Sequence, residues 1–235
     1  MLEIFAQRGG DPSRVGKRDP LDALLWLNQR EGEPGWDSPF GKGRPGWHIE
    51  CSAIAMYYLD DGLDNQYSID IQGGGSDLIF PHHEMSAAQS KAISGKEFAR
   101  SYVHTGMIGL DGEKMSKSKG NLLFVSKMVN EGISPMAIRL ALIAQHYSVD
   151  RMWTQSLLDD AVELLEKLTI ALSREEVAPT KPVIVEMINA LSDNLDTPAA
   201  LAAISQWCDE SLTGSTGGEA GELSRAIDSL LGIAI

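Results

Sequence analysis

The hydrophobic periodicity of this chain changes once, near Ser134-Pro135, and that change limits what it can fold into. Before it, short apolar runs alternate with helix-spaced segments and Gly-rich breaks. After it, the apolar segments have helical spacing. Met1 to Gln7 predicts the end of a helix, stopped by Gly9-Gly10. Leu21 to Leu27 predicts a strand. Asn28 to Gly46, rich in Gly and Pro and carrying Trp36 and Phe40, predicts a structured loop. Ile49 to Leu59 has the spacing of a helix, and Tyr67 to Ile71 alternates like a strand running into a turn at Gly73-Gly74-Gly75. A helix from about Pro81 to Ile93 and a strand from Val103 to Leu110 follow. Strands alternating with helices predict a parallel α/β sheet. Beyond the change, Met136–Gln145, Thr154–Leu172, Lys181–Ser192, Pro198–Trp207 and Glu222–Leu231 predict helices, with a surface loop over Ser211 to Gly221. Ser134 before Pro135, and Asp196-Thr197-Pro198, are helix starts. The expected organisation is an α/β domain over residues 1–132 and a helical bundle over 133–235.

One stretch of the α/β part carries chemistry in its composition. Glu113-Lys114-Met115-Ser116-Lys117-Ser118-Lys119-Gly120-Asn121 is a basic loop rich in hydroxyls and set directly after an apolar run. Splitting ATP at its α-phosphate builds negative charge on the departing pyrophosphate. Flexible ammonium groups closing over that charge stabilise the transition state more than the ground state. Lys114 and Lys117 are the candidate catalytic ammonium groups. Ser116 and Ser118 can donate to phosphate oxygens, and Gly112 and Gly120 let the loop move. A solvated basic turn is the other origin of such a run.

The balance of charge bears on partners. The 235 residues have a formal net charge of -13, which disfavours broad binding to nucleic acid, because that needs basic surface. Hydrophobic content of 43% and charged content of 23% are ordinary for a globular protein. Cys51 and Cys208 form no CxxC pair, so a disulfide framework is not expected and a reducing cytoplasm fits. No apolar run reaches membrane-spanning length, and no signal peptide follows Met1.

Two further stretches hold candidate ligands. Gly43-Arg44-Pro45-Gly46-Trp47-His48-Ile49-Glu50-Cys51 places a cysteine near a helix start, where a thiolate is favoured. Ile69 to Asp77 offers a Gly-rich turn after a strand, open to an anionic or nucleotide ligand, and Phe80-Pro81-His82-His83-Glu84 brings imidazoles to a helix entry. Cysteine with histidine suits zinc. Taken singly, Cys51 reads as a core residue and the glycines as a turn.

Taken together, residues 43–52, 70–84 and 113–121 resemble the cysteine-activating branch of the class I aminoacyl-tRNA synthetases. The resemblance covers nearly all of residues 1–150 and, more weakly, the helical tail. It implies the C-terminal half of a Rossmann-like nucleotide-binding domain followed by an α-helical bundle. By the branch's pattern Cys51 and His82 would be zinc ligands. Trp47, Gly75, Ser76 and Asp77 would line the cysteinyl-adenylate pocket, and Ile108 would lie against adenine through its backbone. Lys114, Met115, Ser116, Lys117 and Ser118 would form the ATP loop. His48 and His83 are candidate proton acceptors, and His83 also reads as structural.

The branch contains enzymes that charge tRNA and ligases that join cysteine to glucosaminyl-inositol on the way to mycothiol. Three features favour the ligase side. Ser86 stands where the tRNA enzymes have a Glu one helical turn after the ligand His. Arg8-Gly9-Gly10-Asp11-Pro12 after Phe5-Ala6 looks like a stretch typical of the ligases, with Gln7 where Glu is usual. Gly106-Met107-Ile108-Gly109 after His104 looks ligase-like as well. The implied reaction is ATP-dependent, AMP-forming ligation of L-cysteine to the amine of glucosaminyl-inositol, with zinc as cofactor and ATP used with magnesium. A fragment of a cysteinyl-tRNA synthetase and a non-catalytic zinc-binding remnant are the alternatives. No tRNA or membrane partner is expected. These residues contain no HIGH-type signature and no counterpart of the family's first zinc cysteine, so the expectation is a fragment, inactive alone, whose missing partner is an N-terminal half.

Overall fold

The computed structural model describes residues 1–64, 66–116 and 120–235. The chain divides into two compact units, Met1–Thr105 and Gly106–Ile235. Compactness thus changes at Thr105/Gly106, whereas the sequence pattern changes at 132/133. The segment between them hydrogen-bonds to a strand that lies inside the helical region, as described below.

The first unit opens with helix α1 (Leu2–Gln7), whose Phe5 is buried. Strands β1 (Trp26–Asn28) and β2 (Gly43–Pro45) pair antiparallel, with Trp26 opposite Pro45. The expected strand over Leu21 to Leu27 is therefore realised only at its end. Upstream, the Leu24 carbonyl oxygen lies 1.7 Å from where a Cβ on Gly46 would stand, and the Gly46 amide donates to Leu25 at 3.0 Å. This is a close backbone crossing that only glycine admits, and it replaces a ladder there. Helix α2 (Trp47–Leu59), strand β3 (Tyr67–Gly75), helix α3 (Glu84–Ser94) and strand β4 (Glu97–Thr105) follow. β3 and β4 pair in parallel from Tyr67 opposite Glu97 to Gly75 opposite Thr105, with α3 as the crossover. The α/β expectation is met here, but the three glycines do not form a turn. They continue β3 opposite Val103, His104 and Thr105.

The core of this unit is small. Ile69, Phe98 and Ala99 are buried, with Ala55, Met56 and Ala87 packed against them. Apolar residues run round the whole circumference of α2, a pattern of helices covered on all sides. Ile54, Tyr57, Tyr58 and Leu59 of α2 and Ile71 of β3 are nevertheless exposed.

The second unit contains β5 (Ile108–Leu110), β6 (Glu113–Lys114) and β7 (Arg151–Trp153), in the order β6-β5-β7. β5 runs antiparallel to β6 and parallel to β7. The expected strand from Val103 to Leu110 is split between β4 and β5. At Gly106 a Cβ would lie 2.3 Å from the Val149 carbonyl carbon and oxygen, and the Gly106 amide donates to Tyr147 at 2.8 Å, so the chain turns against another backbone segment. Helices α4 (Val125–Asn130), α5 (Pro135–Ile143), α6 (Gln155–Leu172), α7 (Thr180–Ser192), α8 (Thr197–Leu212) and α9 (Ala220–Leu231) complete the unit. α4, β6 and β7 are additions to the sequence reading. α8 runs past Trp207 because the buried Ser211 hydroxyl accepts the Ala178 amide at 3.0 Å, which shortens the expected loop.

Helix starts follow local rules. Ser134 accepts from the Met136 amide, Thr154 from Leu157 and Asp196 from Ala199. Leu140, Leu168, Met187, Ile204, Leu223 and Ile227 are fully buried in one continuous core. Trp207 is buried too, its indole N–H donating to the Ala178 carbonyl at 2.9 Å, so its polar atom is satisfied. Among the described residues no helix is long and apolar enough to cross a membrane.

The contrast between the two cores has a measurable consequence. Amide hydrogen exchange should be slowest in α6, α7 and α8 and clearly faster in β3 and β4, because opening free energy follows buried apolar contact. Equal protection in both sets would contradict the packing described here.

Candidate functional site

Local chemistry places the aromatic and imidazole groups of the first unit together. Gly46 enters α2 in an extended conformation, so Trp47 and His48 occupy the first turn and Cys51 the second. On the far side of the crossover, β3 ends at Gly75, Ser76–Leu78 makes a tight turn, and His82 and His83 lead into α3. The two helices are fastened by serines. Ser52 donates to the His48 carbonyl at 2.8 Å and contacts the Ser86 carbonyl at 3.2 Å, and the Ser86 hydroxyl lies 3.4 Å from the His48 carbonyl.

That fastening brings Trp47 over His82, ring centroids 4.1 Å apart at an interplanar angle of 23°. His48 Nδ1 and His82 Nδ1 are 2.8 Å apart, so one carries the proton and the other accepts it. The contact fixes the His82 ring, and with the proton on His82 Nδ1 it leaves Nε2 as the lone-pair atom. His83 is buried, with Nδ1 2.7 Å from His104 Nε2 and Nε2 2.9 Å from Gln72 Nε2. Both His83 nitrogens are thus engaged, which supports its structural reading over that of a proton acceptor. Gln72 and His104, one on each parallel strand, are the partners that sequence reasoning did not assign. Their placement at the end of two strands facing one helix entry is the only signal that could have found them.

Burial pushes the pKa values of His48, His82 and His83 down. His48 adds to the lowering at His82, and His104 then His82 add to it at His83. The imidazoles are therefore neutral ligands or acceptors at neutral pH. Cys51 corrects an expectation. Burial first, then the Glu50 carboxylate, push its thiol up, and a hydrogen bond with Trp47 only partly offsets them. Its position near the start of α2 does not by itself yield a thiolate.

Cys51 and His82 are donor types that zinc takes. The set is short, however. Among the described residues no group of three or more His, Cys, Asp or Glu is arranged to hold a metal ion. The two candidates, Cys51 and His82, are half of the four ligands that a structural zinc normally has.

One glycine next to this cluster, Gly74, has a packing reason. A Cβ on Gly74 would lie 2.9 Å from His83 Cε1 and 2.9 Å from Leu78 Cδ1. Gly75, Ser76 and Asp77, expected to line an adenylate pocket, are half-buried at the end of β3 and in the turn after it. The earlier reading of a Gly-rich turn open to a nucleotide is corrected, because the parallel ladder occupies this stretch.

The remaining expected residues belong to the second unit. Ile108 is half-buried in β5, opposite Arg151. Lys114 ends β6 and is exposed, and Met115 and Ser116 are half-buried. Lys117 and Ser118 lie outside the described residues. Asn121 pins the two arms of the loop: its side chain accepts from the Ser116 amide at 2.9 Å and donates to the Lys114 carbonyl at 3.2 Å. Asp150 holds the segment before β5, accepting the Met107 amide at 2.7 Å.

Gly74→Ala should displace His83 and destabilise the first unit by about 1–3 kcal/mol, the usual range for overpacking. Thermal melting together with the imidazole proton resonances of His83 and His104 tests this. An unchanged melting temperature with unshifted resonances would contradict the contact.

Comparison with known proteins follows from this geometry. The family model for the tRNA synthetases class I (C) catalytic domain matches residues 3–163. The L-cysteine:1D-myo-inositol 2-amino-2-deoxy-alpha-D-glucopyranoside ligase of Gordonia bronchialis is 54% identical over 238 residues, which is 100% of this chain and 56% of that protein. The ligases of the same name from Kribbella flavida and Streptomyces coelicolor are 57% and 52% identical, matched by 99% and 100% of this chain over 56% and 57% of their lengths. The chain thus spans little more than half the length of these relatives. The crystal structure of the ternary complex of Agrobacterium radiobacter K84 agnB2 LeuRS-tRNA-LeuAMS superposes with a TM-score of 0.63 at 19% identity, over 88% of this chain and 35% of that one. That likeness concerns the fold alone.

Proposed function

Because the chain belongs to the family of class I (C) tRNA synthetase catalytic domains, we propose that it is part of an ATP-dependent ligase. In this reading the enzyme activates L-cysteine as cysteinyl-adenylate and passes the cysteinyl group to the amine of glucosaminyl-inositol, in the cytoplasm. The observation that carries the choice of acceptor is Ser86. It is 2% exposed, and its polar groups are spent on fastening α2 to α3. A tRNA-charging relative would need a carboxylate there, one helical turn beyond His82. The likeness to the three ligases along the whole chain supports the same choice.

The mechanism assigns each residue a task. Cys51 and His82 would hold zinc, His82 through the nitrogen that His48 leaves free. Zinc, when bound, supplies a soft partner for the substrate's sulfur and so separates cysteine from serine. Trp47 stacks on His82 and limits its rotation. Gly75, Ser76 and Asp77 line the aminoacyl pocket, and the Ile108 backbone lies against adenine. The cysteine carboxylate attacks the α-phosphate of ATP, used with magnesium, and pyrophosphate leaves. Lys114 and Lys117, carried with Met115, Ser116 and Ser118 on a loop closed by Asn121, stabilise that leaving group. The amine of glucosaminyl-inositol then attacks the adenylate carbonyl, forming the amide and releasing AMP. No side chain is assigned to take the proton that the amine gives up: both nitrogens of His83 are engaged, and a His82 that keeps Nε2 for zinc donates from Nδ1, so that His48 Nδ1 is spent accepting it.

Two measurements test this. Zinc titration against a chromogenic chelator should give weak binding by the 235-residue chain, because it offers half of a tetrahedral shell. Cys51→Ala should weaken it about tenfold or more, as losses of much smaller supporting contacts already do; binding as tight as the parent's would remove Cys51 from the site. The second measurement is cysteine-dependent exchange of labelled pyrophosphate into ATP. The isolated chain should give none above background, since these residues lack a HIGH-type signature. Joined to the part of a relative's length that it does not span, it should exchange, and Lys117→Ala should lower the rate about 10²–10³-fold, the usual cost of one transition-state donor. Charging of tRNA by the joined protein, with glucosaminyl-inositol left unconsumed, would refute the ligase reading.

A further inference from the structure

The first unit contains a cavity of about 310 Å³ between the loop that follows α1 and the start of α2. That volume is within the range of small-molecule sites. One end is formed by Trp47 and His48, which are residues of the cysteine site. The other end is formed by the loop from Arg8 to Lys17, a stretch to which no function has been assigned so far. The Arg8 guanidinium donates to the Phe80 carbonyl, two residues before His82, and the Phe5 and Phe80 rings pack with centroids 6.2 Å apart. The loop is thereby fastened to the segment that carries the candidate zinc ligand.

We propose that this cavity is the acceptor subsite, and that Asp11 and Arg14 recognise a polyhydroxylated amine there. The inference rests on the ligase reading and adds the residues that would select its second substrate.

The charges that line the cavity sort by what they already bind. Arg8 is committed to Phe80, Arg44 pairs with Glu33 at 3.1 Å, and Lys17 lies over the Phe5 ring at 4.7 Å and donates to the Pro20 carbonyl. The Asp22 carboxylate accepts the Arg18 and Asp19 amides at 3.0 Å. Both amides fall on Asp22 Oδ2, which leaves that residue Oδ1 alone, and two other groups keep more capacity for a ligand. Asp11 uses one oxygen for the Ser13 hydroxyl at 3.2 Å and has the other to offer. The Arg14 guanidinium has no side-chain partner among the described residues. One acceptor and one multiple donor suit a molecule whose hydroxyls both donate and accept and whose amine carries hydrogens. They suit a phosphate poorly, because the other cations are spent and a carboxylate faces the same space. Trp47 is 55% exposed, so indole surface remains for the apolar face of a sugar ring. An amine seated at this end lies beside the residues assigned to hold the cysteinyl group, where it has to attack.

The test separates this subsite from the reading beneath it. In the joined protein, steady-state amide formation is measured against glucosaminyl-inositol for the parent, Asp11→Asn, Arg14→Gln and the control Asp70→Asn. Binding of the same compound to the 235-residue chain is followed by saturation-transfer NMR, and melting temperatures verify folding. The expected result is a rise in KM for glucosaminyl-inositol of about tenfold or more for each subsite variant, the size of one lost charge-assisted hydrogen bond, with kcat little changed. Saturation transfer should weaken in parallel, and Asp70→Asn should behave as the parent. A parent that makes the amide while both subsite variants keep its KM would overturn the subsite and leave the ligase reading standing. A parent that makes no amide but charges tRNA would overturn both.

Discussion

The contact that the first unit depends on is the seating of the His83 ring against Gly74. A parallel strand pair needs a crossover, and here the crossover enters α3 directly over the end of β3. The entry fits because Gly74 has no Cβ where His83 Cε1 would meet it. His83 then bonds to His104 across the strand pair, and its neighbour His82 is presented to Trp47. The serine contacts between α2 and α3 hold the other side of the same arrangement. Chemistry on α2 and chemistry at the α3 entry come together through packing, with no covalent link.

Electrostatics in this cluster favour uncharged groups. Three imidazoles with lowered pKa values stand close together without mutual repulsion at neutral pH, and their lone pairs are kept for hydrogen bonds or a soft cation. The Cys51 thiol is pushed the other way, toward its neutral form as well.

The two units differ in how they settle their apolar surface. The second closes its helices on a continuous core, and its buried cysteine, Cys208, has a thiol pushed up to about 11 by that burial. The first carries a helix that is apolar all round and a parallel strand pair, two features that proteins ordinarily cover on both faces. Its small core of Ile69, Phe98 and Ala99 is consistent with a chain that spans about 56% of its curated relatives.

By itself the sequence determined the local elements and the inventory of reactive groups. Helical spacing after Ser134 gave α5 to α9, since an amphipathic period and a capping Ser, Thr or Asp act within a few residues. The alternation before it gave a parallel α/β unit, and the basic loop at Lys114 was visible in composition alone. Tertiary structure decided what depends on a distant segment. Leu21 to Leu25 had the composition of a strand, but the Gly46 backbone crosses there in place of a ladder. Gly73 to Gly75 had the composition of a turn, but pairing with Val103 to Thr105 made them strand. The apolar run from Val103 to Leu110 was cut at Gly106 by the backbone of Val149. The partners of His83, the pinning of the loop by Asn121 and the cavity between Asp11 and Trp47 also join residues far apart in the chain or set by a folded turn. Periodicity reports which face of an element is apolar; which segment covers that face is settled only when the chain folds back on itself.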